Sequence, residues 1–141
     1  MEIDIHAMAR MTEEIMESFK AVKIFPLATA SAAGAPNVAP MGMVFLRDPE
    51  TIWIVDSFMK KTLKNATENP KAALYVYGAG AKGCIQIKAD VTIKTKGDEF
   101  EAGKALALER KPDLKPKSLL ILKVAEVYSC APGPDAGKKV A

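Results

Sequence analysis

Histidine is nearly absent from this 141-residue chain: His6 is the only one. A histidine-based metal site, a Ser-His-Asp triad or a Cys-His pair would each have to be built on that single imidazole. His6 falls on an amphipathic N-terminal segment, where it reads as a partly exposed structural residue. Cysteine is scarce too. Cys84 and Cys130 lie in or beside separate predicted strands without CxxC spacing, which excludes a disulfide framework and reads as two buried thiols. Aromatic residues make up 6% of the chain, which argues against a base-stacking platform. Apolar runs are no longer than a strand, so no membrane-spanning helix is expected. A charge excess is also missing: 20 basic and 17 acidic residues leave a net charge of +3, too mild to mark a nucleic-acid binder. The chain opens on Glu2 and Asp4 rather than on a basic-then-apolar stretch, so no secretory leader is expected and a reduced, cytoplasmic protein is the default. With so little acid–base equipment, redox or group-transfer chemistry would need a cofactor.

What is present is an ordinary globule, 49% apolar and 26% charged, read as one domain over residues 1–141. Asp4 is positioned to cap a first helix over residues 5–21, with Ile5, Met8, Thr12, Ile15, Met16 and Phe19 on one face. Strands are predicted over 24–31 and 37–46, joined as a hairpin through Gly34. Pro40 and Gly42 interrupt the second of these and mark it as an edge or bulged strand. Further strands follow over 51–55, 71–77 and 85–94. The last of these has strict alternation of Ile85, Ile87, Ala89, Val91 and Ile93 with polar residues, which gives it one buried face. Asp98 and Glu101 suggest a capping box for a helix ending near Pro112. A final strand over 118–128 is apolar on both faces through Leu122 and is read as internal. The expectation is a mainly β protein, a six-stranded antiparallel barrel with an N-terminal helix and two inserted helices.

One segment carries chemistry. The strand 51–55 runs into Asp56-Ser57, which can cap the helix predicted over 60–69. Lys60, Lys61, Thr62 and Lys64 crowd that helix start. Each cation there costs about 0.3–1 kcal/mol against the helix dipole. A bound phosphate would reverse the sign, because free N–H groups, ammonium groups and a hydroxyl would converge on it. The plain alternative is a solvated lysine cluster on an exposed helix.

The order of motifs is more specific than any one of them. Phe25-Pro26-Leu27-Ala28-Thr29-Ala30 is followed by Gly34-Ala35-Pro36-Asn37-Val38-Ala39-Pro40-Met41, an apolar strand and the Lys-Lys-Thr helix start. Then come Asn69-Pro70-Lys71-Ala72-Ala73-Leu74, the alternating strand and Asp98-Glu99-Phe100-Glu101. This series resembles the pyridoxamine 5'-phosphate oxidase-like, FMN-binding split-barrel family across most of the chain. The resemblance implies a homodimer with FMN in a groove between protomers, acting as an oxidoreductase or electron carrier. Its electron donor would be a small molecule or another protein. By the resemblance, Pro40, Met41 and Gly42 would line the isoalloxazine ring. Asp56 and Ser57 would lie near the ribityl chain. Lys60, Lys61 and Thr62 would hold the phosphate, and Cys84 would sit near the cofactor. The chain departs from the family in two respects. It has Ala39 and Pro40 where many members place an arginine toward the phosphate. It also has no tryptophan- and arginine-bearing C-terminus, its only tryptophan being Trp53, which argues against oxidation of pyridoxamine phosphate itself.

Three other readings compete, one of them a pure interaction module whose long apolar last strand serves as a buried sheet or a dimer seam. The same barrel could hold a deazaflavin, or a haem, for which His6 offers little choice of axial ligand. A nucleic-acid-binding barrel would use Lys82, Lys88, Lys94 and Lys96 along one face, but the exposed rings that such a face needs are missing from that strand. Neither nucleic acid nor membrane is an expected partner.

Overall fold

Two residues, Gly42 and Met43, connect strands that lie at opposite edges of one sheet. A computed structural model describes residues 9–77 and 84–141 of the chain. It contains β1 (Phe25–Ala30), β2 (Pro36–Met41), β3 (Val44–Asp48), β4 (Thr51–Asp56), β5 (Lys71–Val76), β6 (Ile85–Lys94) and β7 (Ser118–Ser129). The helices are α1 (Glu13–Ser18), α2 (Lys61–Glu68) and α3 (Asp98–Arg110), and a 3-10 turn, Phe19–Ala21, continues α1. All pairings are antiparallel, in the order β2-β1-β5-β6-β7-β4-β3. From Met41 to Val44 the chain can span only about 11 Å at full extension. The sheet must therefore curl until its two edges nearly meet, and the result is a barrel split along the β2–β3 seam.

The main core fills the inside of this curl with Leu27, Ile52, Ile54, Leu74, Val76, Ile87, Leu120, Leu122 and Val124, among others. A second cluster lies outside it under α3, built from Phe45, Trp53, Val55, Phe100, Ala107, Leu119 and Ile121. β4 and the first half of β7 separate the two and are buried on both faces. That is why residues 119–122 carry no alternation. Gly103 lets α3 close on the sheet, since a Cβ there would meet Leu119 Cδ1 at 3.0 Å.

Several expectations need correction. There are seven strands rather than six, because the strand expected over 37–46 breaks at Gly42-Met43. Of the two readings of Pro40, the edge strand holds and the bulge does not, since β2 is at the sheet edge and pairs with β1 in unbroken register; Gly42 follows it where the chain changes edge. The first helix is shorter than expected. Thr12 Oγ1 accepts the Ile15 N–H at 3.2 Å and starts the helix at Glu13. Ala9 and Met11 instead donate backbone N–H groups to Val124 and Pro49 carbonyls. Asp4 and His6 lie outside the described residues. No capping box forms at α3, where Gly97 with φ +97° is the N-cap and Asp98 and Glu101 sit in the first turn. Among the described residues no helix is long and apolar enough to cross a membrane.

Candidate functional site

Beside the β2–β3 connection, β2, the end of β4 and the start of α2 line a groove of about 470 Å³. Its lining is apolar at Pro40, Met41, Met43, Val55, Met59 and Leu114 and polar at Asn37, Ser57, Lys60, Lys61, Thr62 and Lys111. Gly42, at the base of the seam, has its carbonyl held by Arg110 Nη1 at 3.3 Å, and the Arg110 guanidinium lies 4.1 Å from the centroid of the Phe45 ring.

Lys60, Lys61 and Thr62 belong to the start of α2. Lys60 is its N-cap and makes no side-chain capping bond, and the first turn contains no acidic residue. The first N–H groups of the helix therefore lack both intrahelical and side-chain acceptors. Lys60, Lys61 and Lys111 form no ion pair among the described residues. A chain of amides and hydroxyls seats α2 against the sheet. Asn37 Nδ2 donates to Thr62 Oγ1 at 3.1 Å, and Asn65 Nδ2 donates to Thr29 Oγ1 at 3.2 Å. Thr62 is 4% exposed, and its oxygen accepts from Asn37. Its own O–H proton is left for an acceptor in the groove.

Asp56 has a different job from the helix cap expected of Asp56-Ser57. Its side chain is 0% exposed. Oδ1 accepts the Met59 N–H at 2.7 Å and Oδ2 accepts the Ser118 hydroxyl at 2.6 Å. Lys117 Nζ lies 3.9 Å from Oδ2 and donates to the Met59 carbonyl at 2.7 Å. The carboxylate thus ties the loop 57–60 down to the start of β7, and the helix begins only after that loop. Asp56, the only acid lining the groove among the described residues, has both oxygens engaged and a cation beside it, so the field there is that of the lysines and the helix dipole.

Eight of the nine residues singled out from the sequence line this groove: Pro40, Met41, Gly42, Asp56, Ser57, Lys60, Lys61 and Thr62. Cys84 does not. It precedes β6 beside Tyr75 and Cys130, and both cysteines are half-buried rather than buried. The Tyr75 hydroxyl is pushed up from 10.0 to about 12, chiefly by its hydrogen bond to Cys84, with burial adding to it. Because the folded-state value is raised, this bond contributes fully below pH 10.0 and is lost as pH rises through about 12. In an alkaline absorbance titration, Cys84→Ala should bring the Tyr75 phenolate step back toward 10.0; an unmoved step would separate the two groups.

Asn37, Met43, Phe58, Lys111 and Leu114 also line the groove, and the sequence offered no local signal for them. Phe58 is 80% exposed. Asn37 reaches the site through strand pairing, and Lys111 and Leu114 through the α3–β7 connection. Of the lysines considered for nucleic acid, Lys82 lies outside the described residues. Lys88 Nζ sits 5.4 Å from the centroid of the Tyr128 ring.

Comparison with known proteins adds the following. The family model described as pyridoxamine 5'-phosphate oxidase matches residues 11–131. The uncharacterized protein MJ0282 of Methanocaldococcus jannaschii is 39% identical over 138 residues, covering 96% of this chain and 91% of that one. Among solved structures, HupZ of Group A Streptococcus superposes with a TM-score of 0.77 at 23% identity, over 90% of this chain and 99% of that one. An FMN-binding protein of Syntrophomonas wolfei gives 0.65 at 18%, over 82% and 84%. HutZ, the haem storage protein of Vibrio cholerae, gives 0.64 at 20%, over 86% and 95%. An F420 reductase is a further neighbour, with a TM-score of 0.63 at 17% identity over 82% of this chain and 97% of that one. At these identities the structures share the fold.

Proposed function

The chain belongs to the pyridoxamine 5'-phosphate oxidase family, and from that premise and its groove we propose that it is an FMN-binding flavoprotein with a redox role. The observation that carries this is the pairing, in one groove, of an uncapped helix start bearing Lys60, Lys61 and Thr62 with an apolar lining of Pro40, Met41 and Met43. A phosphate dianion suits the first, and a flat, largely apolar ring system suits the second. The donor set fits: the free N–H groups of the first turn, the Thr62 hydroxyl and the ammonium groups have no competing acid. Bound there, FMN would supply hydride or single-electron transfer. The chain's own part is to hold the phosphate, keep one face of the ring against Pro40–Met43 and exclude water with Met59 and Leu114.

We further propose a homodimer in which a second copy closes the open side of the groove. The large apolar side chains left exposed in the single chain, Val38 and Phe58 among them, support this. Pyridoxamine phosphate is not the substrate we favour. Trp53 is committed to the core under α3, and the last residues pair with the chain's own β7. The electron donor is proposed only as a small molecule or a protein.

The test is the visible spectrum of the purified protein, titration with FMN, and mass analysis of any ligand released by heat. The expected result is a flavin spectrum, quenched flavin fluorescence and one FMN per chain. A colourless protein that takes up no FMN would overturn the proposal. A Soret band would move the assignment to haem, and a released deazaflavin to the F420 class.

A further inference from the structure

Cys84 and Cys130 take no part in the groove, yet the sheet sets them opposite each other. β6 and β7 pair with Ile85 opposite Ser129, and one step further out the Cys130 N–H donates to the Cys84 carbonyl at 2.7 Å. Extended one step past Ile85–Ser129, the register sets the two cysteines opposite each other, with both side chains toward one face of the sheet. Residues opposed in this hydrogen-bonded way have Cα atoms about 5.5 Å apart, within the span of a disulfide. Both thiols are half-buried, so small solutes have access to them. On the neighbouring strand, Val76 pairs with Ile85, which puts Tyr77 beside Cys84. Cys130 Sγ donates to the Tyr128 carbonyl at 4.0 Å, so Cys84 is assigned as the sulfur that reacts first.

We propose that Cys84 and Cys130 form a redox-active dithiol that a peroxide closes to an intrachain cross-strand disulfide. The Cys84 sulfur attacks hydrogen peroxide: an S–O bond forms, the O–O bond breaks and water leaves, giving a sulfenic acid. The Cys130 sulfur then attacks the Cys84 sulfur: the S–S bond forms, the S–O bond breaks and a second water leaves. Two thiols lose two electrons and two protons, and one peroxide becomes two waters. A small-molecule dithiol reverses the change by exchange. This site is separate from the groove and does not depend on the flavin reading.

The experiment treats the full-length protein with hydrogen peroxide, alkylates the remaining thiols, and reads intact mass and peptide linkage. The expected product is lighter by two hydrogen atoms, carries a Cys84–Cys130 linked peptide within one chain, and regains both thiols with dithiothreitol. Cys130→Ser should stop at a Cys84 sulfenic acid that dimedone traps. The proposal is overturned if the wild-type protein keeps two alkylatable thiols, gains oxygen at each sulfur independently, or links only between chains.

Discussion

Asp56→Ala should cost about 3–5 kcal/mol of stability, the range expected when a buried, hydrogen-bonded charge is removed and its partners remain. The carboxylate is the meeting point of β4, the loop 57–60 and the start of β7. Alanine leaves the Met59 N–H and the Ser118 hydroxyl without their acceptor. Lys117 contributes less, being half-exposed at 46% and 3.9 Å away. Asp56→Asn keeps the volume and one acceptor oxygen, so its loss should be smaller, about 1–2 kcal/mol. Urea unfolding followed at a constant m-value reads both. A loss below about 1 kcal/mol for alanine would mean that the loop is held by something else. Because the same loop delivers Lys60 and the first turn of α2 to the groove, the alanine variant should also bind FMN more weakly.

Lys61→Ala should act in opposite directions on the free and the loaded protein. Without ligand, Lys61 is an exposed cation at the positive end of α2. Removing it should raise stability slightly, by about 0.3–1 kcal/mol at low salt. With FMN, one charge-assisted hydrogen bond to phosphate is lost, which weakens binding by about 1.5–3 kcal/mol, roughly ten- to a hundredfold. Riboflavin, which has no phosphate, should bind the variant and the wild type alike. Isothermal titration with both ligands checks this. An equal loss for the two ligands would place the phosphate away from the helix start.

The parts of this architecture that were legible in the sequence are those governed by short-range periodicity. Ile87, Ala89 and Val91 are buried as their alternation required. The doubly apolar stretch 119–122 is internal, between β6 and β4. Lys60, Lys61 and Thr62 stood out because cations at a helix start conflict with its dipole, and that conflict is local. What depends on distant pairing was not legible. Pro40 and Gly42 announced an irregularity, but not that β2 and β3 separate to opposite edges of the sheet. Asp56 looked like a helix cap because only one of its partners, the Met59 N–H, is local; the other, Ser118, is 62 residues away. Asn37 carried no sign of its bond to Thr62, since only the curl of the sheet brings β2 over α2.

The C-terminal residues have a consequence of their own. Tyr128 bridges to Lys139, and backbone bonds link Val127 with Val140 and Ala141, and Ser129 with Gly137 and Lys138. β4 covers β7 only as far as Lys123. The returning tail therefore covers a stretch of bare strand margin that would otherwise offer unpaired amides to any passing chain. A segment with no regular structure of its own thus occupies backbone positions at which a further strand could otherwise add.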